Sequence, residues 1–145
     1  MITHSNGDMF AIGADALVNP VNCVGTMGAG LALVFKRRFP AAFKAYSHAC
    51  ADGLVRSGSI YTFVEDGITL FHFPTKRHWR DRSKLVDIQK GLLALRTEIV
   101  STGVKSVAVP ALGCGLGGLD WDEVKPCIDS ALSNMRTQIA VFAPR

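Results

Sequence analysis

No C-x-x-C pair occurs in this chain, and its four cysteines, Cys23, Cys50, Cys114 and Cys127, are scattered with no regular histidine spacing. That excludes a zinc-ribbon pattern and a disulfide framework, so free thiols and no metal are expected. The longest apolar run, around Leu31 to Phe35, falls far short of the roughly 20 residues a membrane-spanning helix needs. The N-terminus lacks the charged-then-apolar pattern of a leader, and a cytoplasmic location is expected. There is no internal repeat, low-complexity tract or linker, which leaves residues 1–145 as a single domain. A chain of this length buries roughly 70 % of the surface its unfolded form exposes, enough for a core without staples.

What is present is ordinary in amount and uneven in place. The chain is 48 % apolar with a net charge of +4, which permits an anionic partner without requiring one. Eight of its 16 lysines and arginines fall in two stretches, Lys36-Arg37-Arg38 and Lys76, Arg77, Arg80, Arg82 and Lys84. Those stretches form one basic rim if they are neighbours in space, and two separate solvated faces if they are not.

Strand-like segments occur at Ala16–Asn19, Ser59–Val64, Ile68–Phe73, Ser106–Pro110 and Gln138–Phe142, with a short one at Ile2–His4. Helical periodicity is clearest over Lys84–Val100, where Leu85, Ile88, Leu92, Leu95 and Ile99 share one face. A second such face, Trp121, Val124, Ile128, Leu132 and Met135, follows Asp120, which has capping-box spacing to Glu123; Pro126 should make the first turn irregular. Gly30–Arg38 and Ala41–Cys50 read as two further helices parted at Phe39-Pro40. Asp66-Gly67 between two β-rich runs signals a hairpin. Strands alternating with helices, plus one hairpin, predict an α/β domain with a mixed sheet covered on both faces.

Two stretches share one grammar of strand, glycine loop and helix: "NPVNCVGTMGAG" at residues 19–30 and "VPALGCGLGGLDW" at residues 109–121. Gly113, Gly115 and Gly118 satisfy G-x-G-x-x-G, a backbone thin enough to bring amides and a helix N-terminus against a diphosphate. A dinucleotide fold would need an acidic strand about 20 residues later, and position 138 is Gln138 with almost no chain left. On neighbouring parallel strands, the two loops would form jaws around one phosphate-bearing ligand. Asn19 and Asn22 each offer a donor and an acceptor, which suits sugar hydroxyls and equally suits capping of the loop. Asp8 can accept from an exocyclic amine or make an Asx turn.

Taken in order, "GDMF", "ALVNPVNCVGTMGAGLALVFKRRFP", "FPTKRHWR" and "VPALGCGLGGLDW" resemble the macrodomain family of ADP-ribose-binding modules over nearly the whole chain. The "TKRHWR" and "GCGLGGLDW" elements are most similar to the DarG branch, which removes ADP-ribose from DNA; the terminal ADP-ribose protein glycohydrolase type is more distant. The resemblance implies a three-layer α/β/α fold with a six-stranded mixed sheet. It implies that Asp8 binds the adenine amine, that Asn19 and Asn22 address the distal ribose, and that Met9 is also among the ligand-binding residues. Gly25, Thr26, Met27, Gly28, Ala29 and Gly30 would line the distal ribose and phosphates, and Gly113, Cys114, Gly115, Leu116, Gly117 and Gly118 would wrap the diphosphate. Thr75 would border the ligand beside Lys76, the catalytic residue, while Arg77, His78, Trp79 and Arg80 would form a nucleic-acid rim.

The partners implied are ADP-ribose, ADP-ribosylated single-stranded DNA and a cognate DNA ADP-ribosyltransferase toxin, with no cofactor, no membrane and a monomeric state. Two departures stand out. The human relative places a catalytic aspartate directly after "GCGL", where this chain has Gly117. The DarG branch also carries a C-terminal toxin-neutralising domain for which 145 residues leave no room, so an excised domain and a stand-alone enzyme are both consistent with the sequence.

Cleavage at C1 of the distal ribose passes through an oxocarbenium-like transition state. Lys76 can attack C1 or the opened aldehyde as a neutral amine, or hold and protonate the leaving base as an ammonium. Trp79 can stack on a base or pack on the helix that follows it. A Cys114 nucleophile with His72 or His78 lacks a third orienting group. The alternatives to a DNA glycohydrolase are a hydrolase of protein-linked or small-molecule ADP-ribose esters and a reader that binds without turnover.

Overall fold

The computed structural model describes residues 1–144. In chain order the elements are β1 (Ile2–Ser5), β2 (Ala16–Val21), α1 (Gly30–Arg38), α2 (Pro40–Ala51), β3 (Tyr61–Glu65), β4 (Ile68–Pro74), α3 (Leu85–Thr102), β5 (Ser106–Val109), α4 (Trp121–Ala131) and β6 (Gln138–Phe142). The six strands form one sheet in the order β1-β6-β5-β2-β4-β3, parallel throughout except for the antiparallel β3–β4 pair. That hairpin turns at Asp66 and Gly67, both at positive φ (53° and 76°), as the dipeptide predicts.

The central strands are apolar on both sides because both sides are covered. On one face Ala16, Val18, Phe71, Phe73, Val107, Val109, Ile139 and Val141 pack with Ile88, Leu92, Leu95 and Ile99 of α3 and Val124 and Ile128 of α4. On the other, Leu17, Leu70, Ala108 and Phe142 meet Phe35 of α1 and Ala42 of α2, while Val21 packs with Tyr46 and Ala49 of α2. The result is the three-layer α/β/α arrangement with a six-stranded mixed sheet. No helix among the described residues is long and apolar enough to cross a membrane.

Most boundaries fall within two residues of those predicted, and the differences have local causes. β2 continues through Pro20 to Val21. The Val21 carbonyl accepts from Thr75 N–H on the β4 side, so Pro20, one residue back, presents its missing N–H toward β5. The β2–β5 ladder covers only Ala16 and Leu17, so proline removes no bond there. α4 runs unbroken through Pro126 instead of fraying in its first turn. Asp120 caps it by accepting from Asp122 N–H at 3.0 Å, a cap on the second helical residue in place of the reciprocal box with Glu123.

Candidate functional site

The short β2–β5 ladder decides where a ligand can enter. Beyond Leu17 and Ala108 the two strands are unpaired, and their exits lead into the two glycine loops, residues 22–29 and 110–120. β4, the other neighbour of β2, delivers the loop 75–84 to the same edge. Three loops therefore meet at the carboxyl ends of three adjacent strands, the place where open α/β sheets bind ligands.

The first loop is held by Asn22. Its amide donates to the Thr26 carbonyl (2.9 Å) and Thr26 Oγ1 (2.8 Å), and its Oδ1 accepts from Val24 N–H (3.1 Å) and Thr26 N–H (3.4 Å). The Tyr46 hydroxyl, fully buried on α2, donates to both the Asn22 carbonyl and Oδ1 at 2.8 Å. Asn22 thus makes the bonds that cap and shape this loop. Asn19 lies buried beside it, its amide 3.9 Å from Met27 Sδ. Beside it His72 faces the Tyr61 carbonyl at 3.0 Å through Nδ1, which must then carry the proton, and burial pushes its pKa down to about 4.

Past that loop, α1 begins at Gly30 with no side-chain cap and no acidic residue in its first turn. Its first amides are thus free to meet an anion, reinforced by the helix dipole. Across the cleft, turn bonds from Cys114 N–H to Ala111, Gly118 N–H to Gly115 and Leu119 N–H to Gly113 fold the second loop into a tight arch. Leu116, exposed at its tip, reaches toward Gly30, where an added Cβ would lie 3.7 Å from its Cδ1. The jaws inferred from the sequence therefore face each other. Gly25 and Met27 are buried within the first jaw, while Thr26, Gly28, Ala29 and Gly30 are exposed on it.

The third loop is stitched to both jaws. Cys23 N–H donates to the Arg77 carbonyl (3.0 Å), and Ser83 N–H donates to the Gly117 carbonyl (3.0 Å). Thr75 is buried at its base, and Lys76, half-buried, turns its ammonium back to the Trp79 carbonyl at 3.3 Å. Trp79 is half exposed rather than packed on α3, with the Arg80 guanidinium 4.6 Å from its ring and His78 at 5.2 Å. Arg77 pairs with buried Asp87 at 3.5 Å.

Two other sequence readings find their place. α1 starts at the cleft and carries Lys36, Arg37 and Arg38 in its last turn, roughly 9–12 Å farther along the axis. Lys36 lies over Phe43 and Arg38 over Phe10, at 4.5 and 4.4 Å. Cys114 donates to the Leu112 carbonyl, and burial raises its pKa to about 11, the reverse of an activated nucleophile. Asp8 is exposed and accepts from Phe10 N–H at 2.9 Å, an Asx turn after β1, next to buried Met9.

Sequence reasoning missed Tyr46 and Ser83. A tyrosine on the buried face of an apolar helix must find a partner for its hydroxyl, and that was the available signal for Tyr46. Ser83, two residues before α3, carries no such signal. A groove of about 650 Å³ lies at the opposite end of the sheet, bordered by Val100, Lys105, Met135 and Gln138, away from all three loops.

A family model described as Macro domain matches residues 18–128. The chain is 47 % identical to the DNA ADP-ribosyl glycohydrolase of Mycobacterium tuberculosis, a match covering 99 % of this chain and 42 % of that protein. To the enzyme of the same description from Thermus aquaticus it is 40 % identical, over 99 % of this chain and 41 % of that one. The solved macrodomain of Thermus aquaticus DarG superposes with a TM-score of 0.94 at 40 % identity, covering 99 % of both chains. The Thermosipho africanus DarTG in complex with ADP-ribose gives 0.92 at 35 % identity, over 99 % of this chain and 41 % of that one. The human ADP-ribose glycohydrolase OARD1 is 28 % identical over 97 % of this chain and 90 % of its own length. The chain thus spans about two fifths of the length of the DNA ADP-ribosyl glycohydrolases it matches.

Proposed function

The chain belongs to the macrodomain family, and on that premise we propose that it removes ADP-ribose from ADP-ribosylated DNA as a glycosidic hydrolase. One observation carries the reading: the loop bearing Lys76 is hydrogen-bonded to both glycine jaws, so whatever seats its phosphates between the jaws is held at a fixed place relative to that lysine. Positioning of this kind is a large part of what a glycosidase can contribute.

In this reading the diphosphate lies between the uncapped start of α1 and the arch at Gly113–Gly118, under Leu116. Asp8 and Met9 flank the adenine. The distal ribose rests on the 22–29 loop, which Asn22 shapes from beneath through its bonds to Thr26. Lys76 then meets the bond at C1. As that bond breaks, charge develops on the ring and on the departing base; the ammonium, already donating to the Trp79 carbonyl, gives a proton to the leaving base, and water adds to C1 and releases the proton that restores the ammonium. The chemistry uses this chain's own residues and no cofactor.

Exposed Trp79 with Arg77, His78 and Arg80 borders the same opening, which suits a single strand carrying the modified base: aromatic stacking and cations recognise a strand without reading its sequence. A relative from Thermosipho africanus, 36 % identical, is a DNA ADP-ribosyl transferase-DNA ADP-ribosyl glycohydrolase fusion protein, which supports a cognate transferase toxin as the functional partner. We assign the protein a cytoplasmic, monomeric, antitoxin-like or repair role.

The test offers the protein an ADP-ribosylated single-stranded oligonucleotide and a protein carrying ester-linked ADP-ribose, and follows free ADP-ribose over time. Release from the oligonucleotide in preference to the protein is expected. Release from the protein alone would make it a protein-ester hydrolase, and tight binding of ADP-ribose with no release from either would make it a reader.

A further inference from the structure

Among the described residues three buried side-chain polar atoms have no hydrogen-bond partner: Asn19 Oδ1, His72 Nε2 and Ser83 Oγ. The first two line a small apolar cavity below Met27. The third lies elsewhere, in the seam between the Lys76 loop and the second glycine jaw. Ser83 is 6 % exposed, and its backbone holds it in that seam through the bond to the Gly117 carbonyl.

The seam is shaped around this serine. A Cβ at Gly113 would lie 3.1 Å from Ser83 Cβ and 3.2 Å from its Oγ, and a Cβ at Gly117 would overlap Oγ and come within 2.5 Å of the Gly113 carbonyl oxygen. Position 117 is therefore closed to every side chain, by the serine and by the arch itself. An aspartate at this position has no room in this loop. At the same seam Arg82 donates to the Gly118 carbonyl at 3.3 Å, and its guanidinium lies against the Gly118 Cα, where a Cβ would meet it at 2.8 Å.

A buried hydroxyl without a partner is a cost that alanine would avoid, and in a native fold such a group needs an explanation. Here its surroundings supply one: an arch with glycine at 113, 115, 117 and 118, and an arginine beside it. We propose that Ser83 and Arg82 form a phosphate subsite at this seam, the Ser83 hydroxyl donating to a phosphoryl oxygen once a ligand is seated. This rests on the macrodomain reading above and extends it to residues that reading does not use. Backbone alone covers the hydroxyl at this point of the arch, and the subsite requires that backbone to shift when the ligand is seated. The phosphoryl group belongs either to the diphosphate of ADP-ribose or to the strand that carries the modified base.

Two binding measurements and one stability measurement on Ser83→Ala test it. Titrations with free ADP-ribose and with an ADP-ribosylated oligonucleotide, the latter under conditions without turnover, are compared with wild type and with Arg82→Gln. A hydrogen bond to a charged acceptor makes the expected loss about tenfold or more, with no fall in the melting temperature of the free protein. If the diphosphate is the source, both ligands weaken in Ser83→Ala; if the strand phosphate is the source, only the oligonucleotide does. Affinities for both ligands that match wild type overturn the proposal, and a lowered melting temperature alongside them would give Ser83 a purely structural role. Wild type that fails to bind ADP-ribose would overturn the proposed function and the subsite together, which separates the two failures.

Discussion

Replacing Tyr46 with phenylalanine removes one oxygen atom from the core and should loosen the ligand loop above it. The hydroxyl is fully buried and donates at 2.8 Å to both the carbonyl and Oδ1 of Asn22. Oδ1 keeps its bonds from Val24 and Thr26, but the carbonyl loses the donor that reaches it from α2. A buried group left without its partner costs about 1–3 kcal/mol. For a domain of this size each kcal/mol shifts the melting temperature by about 4 °C, so Tyr46→Phe should melt roughly 4–12 °C below wild type. Part of that cost falls on the 22–29 loop alone, and a loop that must be re-ordered by its ligand binds it more weakly, by about tenfold per 1.4 kcal/mol. Thermal unfolding and calorimetric titration with ADP-ribose, on the same preparations, read the two effects. A variant with wild-type melting and wild-type affinity would show that Asn22 shapes the loop without help from α2, and the link from core to site would be refuted.

Gly91→Val should lower stability by about 1–3 kcal/mol through overpacking, because a Cβ there would lie 2.7 Å from Cε1 of buried Phe73; denaturant unfolding measures it, and ADP-ribose affinity of the folded protein should hold. His72, neutral in the fold with a pKa of about 4 against 6.5 when unfolded, makes the unfolded chain bind more protons between those values. Its stabilising contribution is complete above about pH 6.5 and lost as pH falls toward 4, roughly 3 kcal/mol in all; His72→Phe should flatten that part of the stability–pH curve relative to wild type. Trp79→Ala should leave affinity for free ADP-ribose unchanged and weaken the modified oligonucleotide by about 1–3 kcal/mol if one base stacks there; equal affinities for the oligonucleotide would remove Trp79 from the rim.

Much of this fold could be read from local signals. α1 matches its predicted span at both ends because glycine opens it and Pro40 closes it, and the hairpin follows from Asp66-Gly67. The opposition of the two glycine loops was legible as well, since each follows a strand and precedes a helix. What stayed hidden depends on who the neighbours are. Pro20 reads as the end of a strand until it is known that β5 no longer pairs beside it. Asn22 has the same donors and acceptors in any setting, and only packing shows that Thr26 and Tyr46 are its neighbours. Ser83 owes its place to Gly113 and Gly117, 30 or more positions along the chain, a relation with no periodicity to betray it.

The central claim is that Lys76, held by its loop between two phosphate-binding jaws, acts on the glycosidic bond rather than on binding. Its most direct test is the single-turnover rate of ADP-ribose release from a modified single-stranded oligonucleotide, wild type against Lys76→Ala, with ADP-ribose affinity measured on both. The expected result is a loss of at least about 100-fold in rate, the lower end of what a positioned general acid contributes, with affinity changed far less. Release by Lys76→Ala at the wild-type rate would contradict it and move the chemistry to another group.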